Sequence, residues 1–188
     1  NFSTTIHLEG VTDSLITNNS ITAANVSNGY GLNLETSSNS NQIINNSITT
    51  SGATGFGIRL NSGNSNNVTG NTIFTSGSNS YGLSVQTDTG IINNNTITTT
   101  GTSAMGFYFT SGASQNTFEN NVITTTNTNA RALYFDNGDN NNFTNEQYNS
   151  TTAEEIYLLA ASTGNTLTNV ILQGDSNIST TEISSVSL

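Results

Sequence analysis

Gly31-Leu32-Asn33-Leu34, followed by Ile43-Ile44-Asn45-Asn46-Ser47-Ile48-Thr49, is the stretch that decides the fold. It holds two phrases. One is a small residue followed by apolar-x-apolar. The other sets two apolar residues five apart, with Asn ahead of the second. Working outward, the first phrase returns as Ile6-His7-Leu8, Ile58-Arg59-Leu60, Leu83-Ser84-Val85, Phe107-Tyr108-Phe109, Leu133-Tyr134-Phe135 and Ile156-Tyr157-Leu158, at spacings of 23 to 26 residues. The second phrase gives two columns. Ile16, Ile43, Val68, Ile92, Phe118, Phe143 and Leu167 form one, and Ile21, Ile48, Ile73, Ile97, Ile123, Tyr148 and Leu172 the other.

Apolar-x-apolar is a strand pattern, because alternate side chains leave a strand on opposite faces. Each triplet is too short to bury anything alone, so the copies must stack into a shared core. A helical repeat would be longer and would need helix formers, whereas this chain is rich in Asn, Gly, Thr and Ser. A turn of about 25 residues fits three short strands and three bends, and parallel crossovers are right-handed. The sequence therefore predicts an all-β fold over 1–188: a right-handed, single-stranded parallel β-helix of about seven turns, roughly 30–35 Å long at a strand spacing of ~4.8 Å.

The polar columns agree. Asn18, Asn45, Gly70, Asn94, Asn120, Asn145 and Asn169 share one position. Asn and Gly are the residues that best tolerate positive φ, so this column predicts a left-handed bend. The next position is Asn19, Asn46, Asn71, Asn95 and Asn121, a set predicted to hydrogen-bond amide to amide from turn to turn. Gly31, Gly57, Gly82 and Gly106, then Ala132, predict a corner with no room for a large side chain.

Composition removes several function classes. Asn, Thr and Ser supply almost half of 188 residues; there are 2 basic residues, 12 acidic ones and a net charge of -10. So few cations cannot neutralise a nucleic-acid backbone, and the charge repels an anionic bilayer surface. No apolar run approaches membrane-spanning length. With no Cys and one His, disulfides, thiolate chemistry and multi-His metal sites are excluded within one chain.

The phrases Asn45 to Thr49, Asn93 to Ile97 and Gly31 to Leu34 resemble the parallel β-helix repeats of the pectin-lyase-like superfamily, nearest to the Asn-rich repeats of NosD-like and archaeal or bacterial surface proteins. The resemblance implies the fold. It also implies a superfamily that spans polysaccharide lyases, hydrolases and epimerases, tailspikes, adhesins and surface-layer components, whose enzymes place their sites on an outward strand column framed by long loops. Here the apolar anchors of successive strands are 7 to 11 residues apart, too close for such loops. The expectation is therefore a protein that is not an enzyme and has no catalytic residues or cofactor.

Several side chains still merit inspection. His7, Glu9, Glu35 and Arg59 gather on the outward side of the first strands, either as an acid–base cluster or as an Arg59–Glu35 ion pair beside a solvated His. Two arginines, Arg59 and Arg131, cannot build the cationic groove that polyuronate lyases use. Asp136 with Asp139, and Glu154 with Glu155, are candidate hydrolytic carboxylate pairs. Asp136-Asn137-Gly138-Asp139 is also a candidate calcium loop, although the same four residues suit a plain turn. Tyr108, Tyr134 and Tyr157 are expected to stack up one outward column, as a face for sugars or another subunit or as a self-stabilising stack. Ser20/Thr22, Ser47/Thr49, Thr72/Phe74 and Thr96/Thr98 make a Thr-x-Thr array like that of ice-binding solenoids, broken at Phe74, Val122 and Gln147. Nine Asn-x-Ser/Thr sequons, at Asn1, Asn18, Asn25, Asn45, Asn67, Asn94, Asn142, Asn149 and Asn177, are about what composition gives by chance. Asn18, Asn45 and Asn94 stand at the bend, where glycans could project.

No cap is recognisable at either end; Ile178, Ile183, Val186 and Leu188 keep the apolar rhythm. That suggests a segment of a longer chain or a polymer subunit. The sequence thus points to an extracellular structural protein of a cell-surface filament, sheath or surface layer, self-associating end to end or laterally. A carbohydrate-binding or carbohydrate-processing module and an ice-binding protein are the alternatives.

Overall fold

A computed structural model describes residues 4–24, 27–110, 112–158, 162–174, 178–180 and 186–187, the last two segments by their backbone alone. The sequons at Asn1, Asn25 and Asn177 and the apolar residues Ile183 and Leu188 lie outside the described residues, as does Leu159. Among the described residues there is no helix, and every strand is two to four residues long.

Three parallel sheets of eight, eight and seven strands run along the axis. The first goes from Ile6–Glu9 through Leu32–Glu35, Ile58–Leu60, Leu83–Val85, Phe107–Phe109, Leu133–Phe135 and Ile156–Leu158 to Ile178–Thr180. The second begins at Leu15–Thr17 and ends at Val186–Ser187; the third begins at Ser20–Ala23 and ends at Ile171–Gly174. Each strand pairs with the equivalent strand one turn away, so the chain winds as a right-handed parallel β-helix of about seven turns. Register follows the apolar columns. Ile6 pairs Leu32, Ile16 pairs Ile43, and Ile21 pairs Ile48, with the same alignment turn after turn.

The columns meet inside. Leu32, Ile43, Ile48, Ile58, Val68 and Ile73 are at most 1% exposed. In the fifth and sixth turns aromatics take over the interior: Phe107, Phe109, Phe118, Phe135, Phe143 and Tyr148 are all buried. Phe118 stacks on Phe143 at 4.6 Å, and Phe109 meets Phe135 at 4.5 Å.

The predicted bend is present at all seven positions, with φ between 53° and 67° from Asn18 to Asn169. The glycine corner is as tight as the sequence implies. A Cβ on Gly82 would lie 2.2 Å from Ile97 Cγ2, and one on Gly106 would lie 2.1 Å from Ile123 Cγ2. Ala132 is tolerated in the next turn, where the facing column changes from Ile to Tyr148 and its branched γ-methyl is gone.

The amide column is a continuous hydrogen-bonded ladder. Nδ2 of Asn19, Asn46, Asn71 and Asn95 donates to Oδ1 of the next turn's Asn at 2.9–3.0 Å. Asn71 is fully used: its Oδ1 accepts the N–H and Nδ2 of Asn46, while its Nδ2 donates to Ile43 O and Asn95 Oδ1. Burying amides is tolerable because each is satisfied in this way. Asn121 then donates its N–H and its Nδ2 to Oε1 of Glu146, which stands where the column would otherwise continue with Asn. A second ladder runs two residues ahead of the other apolar column. It links Asn41 to Asn66 and Asn116 to Asn141 to Asn165, and is interrupted at Gly90, whose N–H reaches Asn116 Oδ1 at 2.7 Å.

Candidate functional site: the outer face of the first sheet

Parallel register sets His7 beside Asn33 and Asn33 beside Arg59, with Glu9 opposite Glu35. Arg59 Nη1 donates to Glu35 Oε1 at 3.1 Å and Nη2 donates to Asn61 Oδ1 at 2.8 Å. His7 Nε2 lies 3.3 Å from Glu35 Oε2. Both carboxylate oxygens of Glu35 are therefore engaged. A hydrogen bond from Asn33, with the charges of Arg59 and His7, holds the Glu35 carboxyl below its ordinary range, against the upward push of partial burial.

Thr4, His7, Tyr30, Asn33, Glu35 and Arg59 line a shallow cleft of about 260 Å³. Three of the four clustered residues named from sequence converge there. Glu9 does not; its Oε1 accepts from the Thr36 hydroxyl at 3.5 Å. The cleft thus has one carboxylate in its wall, whereas glycoside hydrolysis by acid and base uses two. Asn33 occupies an outward position in the strand yet is only 3% exposed, and its Oδ1 has no hydrogen-bond partner.

The tyrosine stack is twice as long as the sequence reading had it. Tyr108, Tyr134 and Tyr157 stack at 5.4 Å intervals as expected. The column continues through Tyr81, Phe56 and Tyr30 at 4.1, 4.7 and 5.1 Å, with all six planes within 27° of their neighbours. Ser84, small and 2% exposed, sits at the outward position beside Tyr108. An arginine lies against each terminal ring. Arg59 Cζ is 5.5 Å from the Tyr30 centroid and Arg131 Cζ is 4.3 Å from that of Tyr157. Arg131 is held by Glu154 at 3.0 Å.

This geometry limits what the ladder can do. Sugars stack on an open ring face, and here Phe56, Tyr81, Tyr108 and Tyr134 each stack on a ring on both sides, while Tyr30 and Tyr157 each meet one ring and one guanidinium group. Three of the phenols are also held protonated. Burial, then the neighbouring phenols, pushes Tyr81 up to about 12; burial, then Asp136, raises Tyr108 and Tyr134.

The remaining candidates disperse. Asp139 Oδ1 accepts from the Thr163 N–H and hydroxyl at 2.7 and 2.9 Å, and the backbone bond first, then the hydroxyl, lowers its pKa. Asp136 instead lies near the tyrosines. Glu154 faces Arg131 while its neighbour Glu155 is buried. Among the described residues no group of three or more His, Cys, Asp or Glu side chains converges to hold a metal ion. Asn18, Asn45 and Asn94 are exposed at the bend.

Sequence reasoning missed Glu146. It is fully buried, with Tyr148 Oη donating to Oε2 at 3.1 Å, and burial pushes its carboxyl up to about 8 despite the bonds from Asn121 and Tyr148. The available signal was the ladder column itself, in which an acid replaces an amide.

A family model described as the right-handed beta helix region matches residues 1–145. No curated protein matches the chain.

Proposed function

The chain belongs to the right-handed beta helix family, and from that premise we propose that it is a structural module of an extracellular surface, a stiff rod that joins a filament, sheath or surface layer by contact with further copies and catalyses nothing. One observation carries this reading: the clustered outward side chains of the first sheet are spent on the rod itself. Glu35 is held between Arg59 and His7, Glu154 holds Arg131, and six aromatic rings stack on each other. Strand connections among the described residues stay short, so none of them frames a deep cleft. The absence of Lys and near-absence of Arg remove the commonest proteolytic cleavage points, which suits exposure outside a cell.

Mass measurement in solution with negative-stain imaging tests the proposal. Assemblies that grow with concentration are expected; monodisperse rods at every concentration would count against it. A screen on neutral and acidic polysaccharides is expected to show no turnover.

A second reading, a carbohydrate-binding module, draws on the cleft beside Tyr30, where Asn33 Oδ1 is unpaired. It requires binding on a glycan array that falls at least tenfold with Asn33→Ala, a variant that leaves the aromatic ladder in place.

A further inference from the structure

Charge is spread unevenly around the rod. His7, Glu9, Glu35, Arg59 and Asp136 lie on or beside the first sheet, Glu119 faces outward from the second, and Asp13, Asp88 and Asp139 lie in the bends leading into the second. The third sheet differs. Each of its seven strands turns its first and third residues outward, and from Ser20–Ala23 to Ile171–Gly174 none of these positions holds an acidic or basic side chain. On a chain of net charge -10 this face is electrically blank. It also carries three of the five exposed large hydrophobic residues among those described: Phe74, Val122 and Ile171, at 39, 37 and 52%.

We propose that the solvent face of the third sheet is the lateral interface through which one copy packs on a second copy of this chain, sheet against sheet. The inference rests on the structural reading above and names the surface it would use. Two polyanions repel when their charged faces meet, and the repulsion is least when the charge-free faces do. The partner must also carry rows of side chains at the same spacing to interdigitate over seven rungs, and a second copy does so by construction. Turning that copy over about the strand direction of Thr96–Thr99 sets Thr96 against the second copy's Thr96. It also lays the rung of Phe74 on the rung of the second copy's Val122, because the strands Thr72–Thr75 and Val122–Thr125 flank Thr96–Thr99 on either side. The flat face measures roughly 35 Å by 10 Å, about 700 Å² over both copies, short of the ~1,200 Å² of a stable dimer. A single pair is therefore reversible, and the contact persists where an array repeats it.

The chain contains no Cys, so an engineered cysteine is its sole thiol. Thr96→Cys on the third sheet and Thr117→Cys, also exposed, on the second, are compared for disulfide-linked dimer under a glutathione redox buffer at matched concentration. T96C is expected to form dimer at least ten times faster than T117C. Adding Val122→Glu, an exposed change that leaves the core alone, is expected to bring T96C down to the control rate. Equal rates, or a fast T96C indifferent to V122E, overturn the inference. Thermal hysteresis abolished by V122E, with no difference in cross-linking, assigns the face to ice and likewise overturns it. Assemblies seen by imaging with equal cross-linking rates defeat this interface but leave the structural reading standing; monodisperse rods defeat that reading itself.

Discussion

The turn built on Gly82, Asn95 and Ile97 and the turn built on Ala132, Glu146 and Tyr148 do the same job with different parts. In the first, a missing Cβ makes room for a branched Ile, and an amide passes hydrogen bonds onward to Asn121. In the second, an unbranched aromatic leaves room for a methyl, and a carboxyl receives two bonds from Asn121. The columns are therefore coupled: what one position holds decides what its neighbours across the bend can hold. Glu146 is suited to that place because Val170, which follows it in the column, has no side-chain acceptor to donate to. An Asn there would carry two Nδ2 protons with one acceptor fewer, whereas a carboxyl carries at most one proton and offers both oxygens as acceptors.

Breaking the ladder in the Asn95 turn is the severest test of that contrast. Asn95→Leu leaves the Asn71 N–H and Nδ2, Val68 O and Asn121 Oδ1 buried without that partner. At 1–3 kcal/mol for each unsatisfied group, not fully additive, a loss of about 4 kcal/mol is expected in urea denaturation. A loss under 1 kcal/mol would show that the ladder decorates the core rather than holding it.

The Glu146 turn has a dependence the Asn95 turn lacks. Its carboxyl is raised from 4.5 to about 8 on folding. A raised folded value means the native state holds the proton more tightly, so the stabilisation is full below about pH 4.5 and is lost as pH rises through about 8. The unfolding free energy from urea denaturation is expected to fall between pH 5 and pH 9, by on the order of 4 kcal/mol. Glu146→Gln, neutral throughout, is expected to flatten that slope. An unchanged slope in E146Q would place the titration elsewhere.

The steric half of the comparison is smaller. Gly106→Ala drives a Cβ into Ile123 Cγ2 and approaches Ala132 O at 2.7 Å. Overpacking of this kind costs about 1–3 kcal/mol. Ile123→Leu removes the branched methyl and is expected to recover part of that loss in a double-mutant cycle, the carbonyl contact retaining the rest. Smallest of all, Tyr81→Ala, which removes a ring stacked on both faces, is expected to cost about 1 kcal/mol beyond its area, and Tyr157→Ala, at the end of the stack, less.

What the sequence showed and what it hid have a common cause. The seven-fold Asn/Gly column announced a positive-φ bend because the two types that tolerate it best fill the position in every turn. The positive-φ bend at Asp13, Ser40, Ser65, Thr89 and Gln115 carries mixed types and gave no such signal. Ile16, Ile43 and Val68 fall in register because the repeat is nearly constant in length. The aromatic ladder was half visible because it changes lane. Tyr30, Phe56 and Tyr81 stand just before the corner glycine, whereas Tyr108, Tyr134 and Tyr157 stand two or three places later, in mid-strand. A reading taken column by column meets each set alone. The second amide ladder was obscured by Gly90 and by an abundance of Asn that makes any single one unremarked. Arg131 over Tyr157 depends on a contact between two columns that no spacing encodes.

The amide ladder also gives the rod a direction. From Asn46 to Asn121 every side-chain oxygen in it accepts from the preceding turn and one Nδ2 proton donates to the following one, while the other Nδ2 proton reaches back to a backbone carbonyl. Bond dipoles laid head to tail reinforce one another, as they do along an α-helix. The axis therefore has an electropositive pole, and it is there that the chain has put the acid of Glu146. Two such rods laid antiparallel cancel these fields; two laid parallel add them.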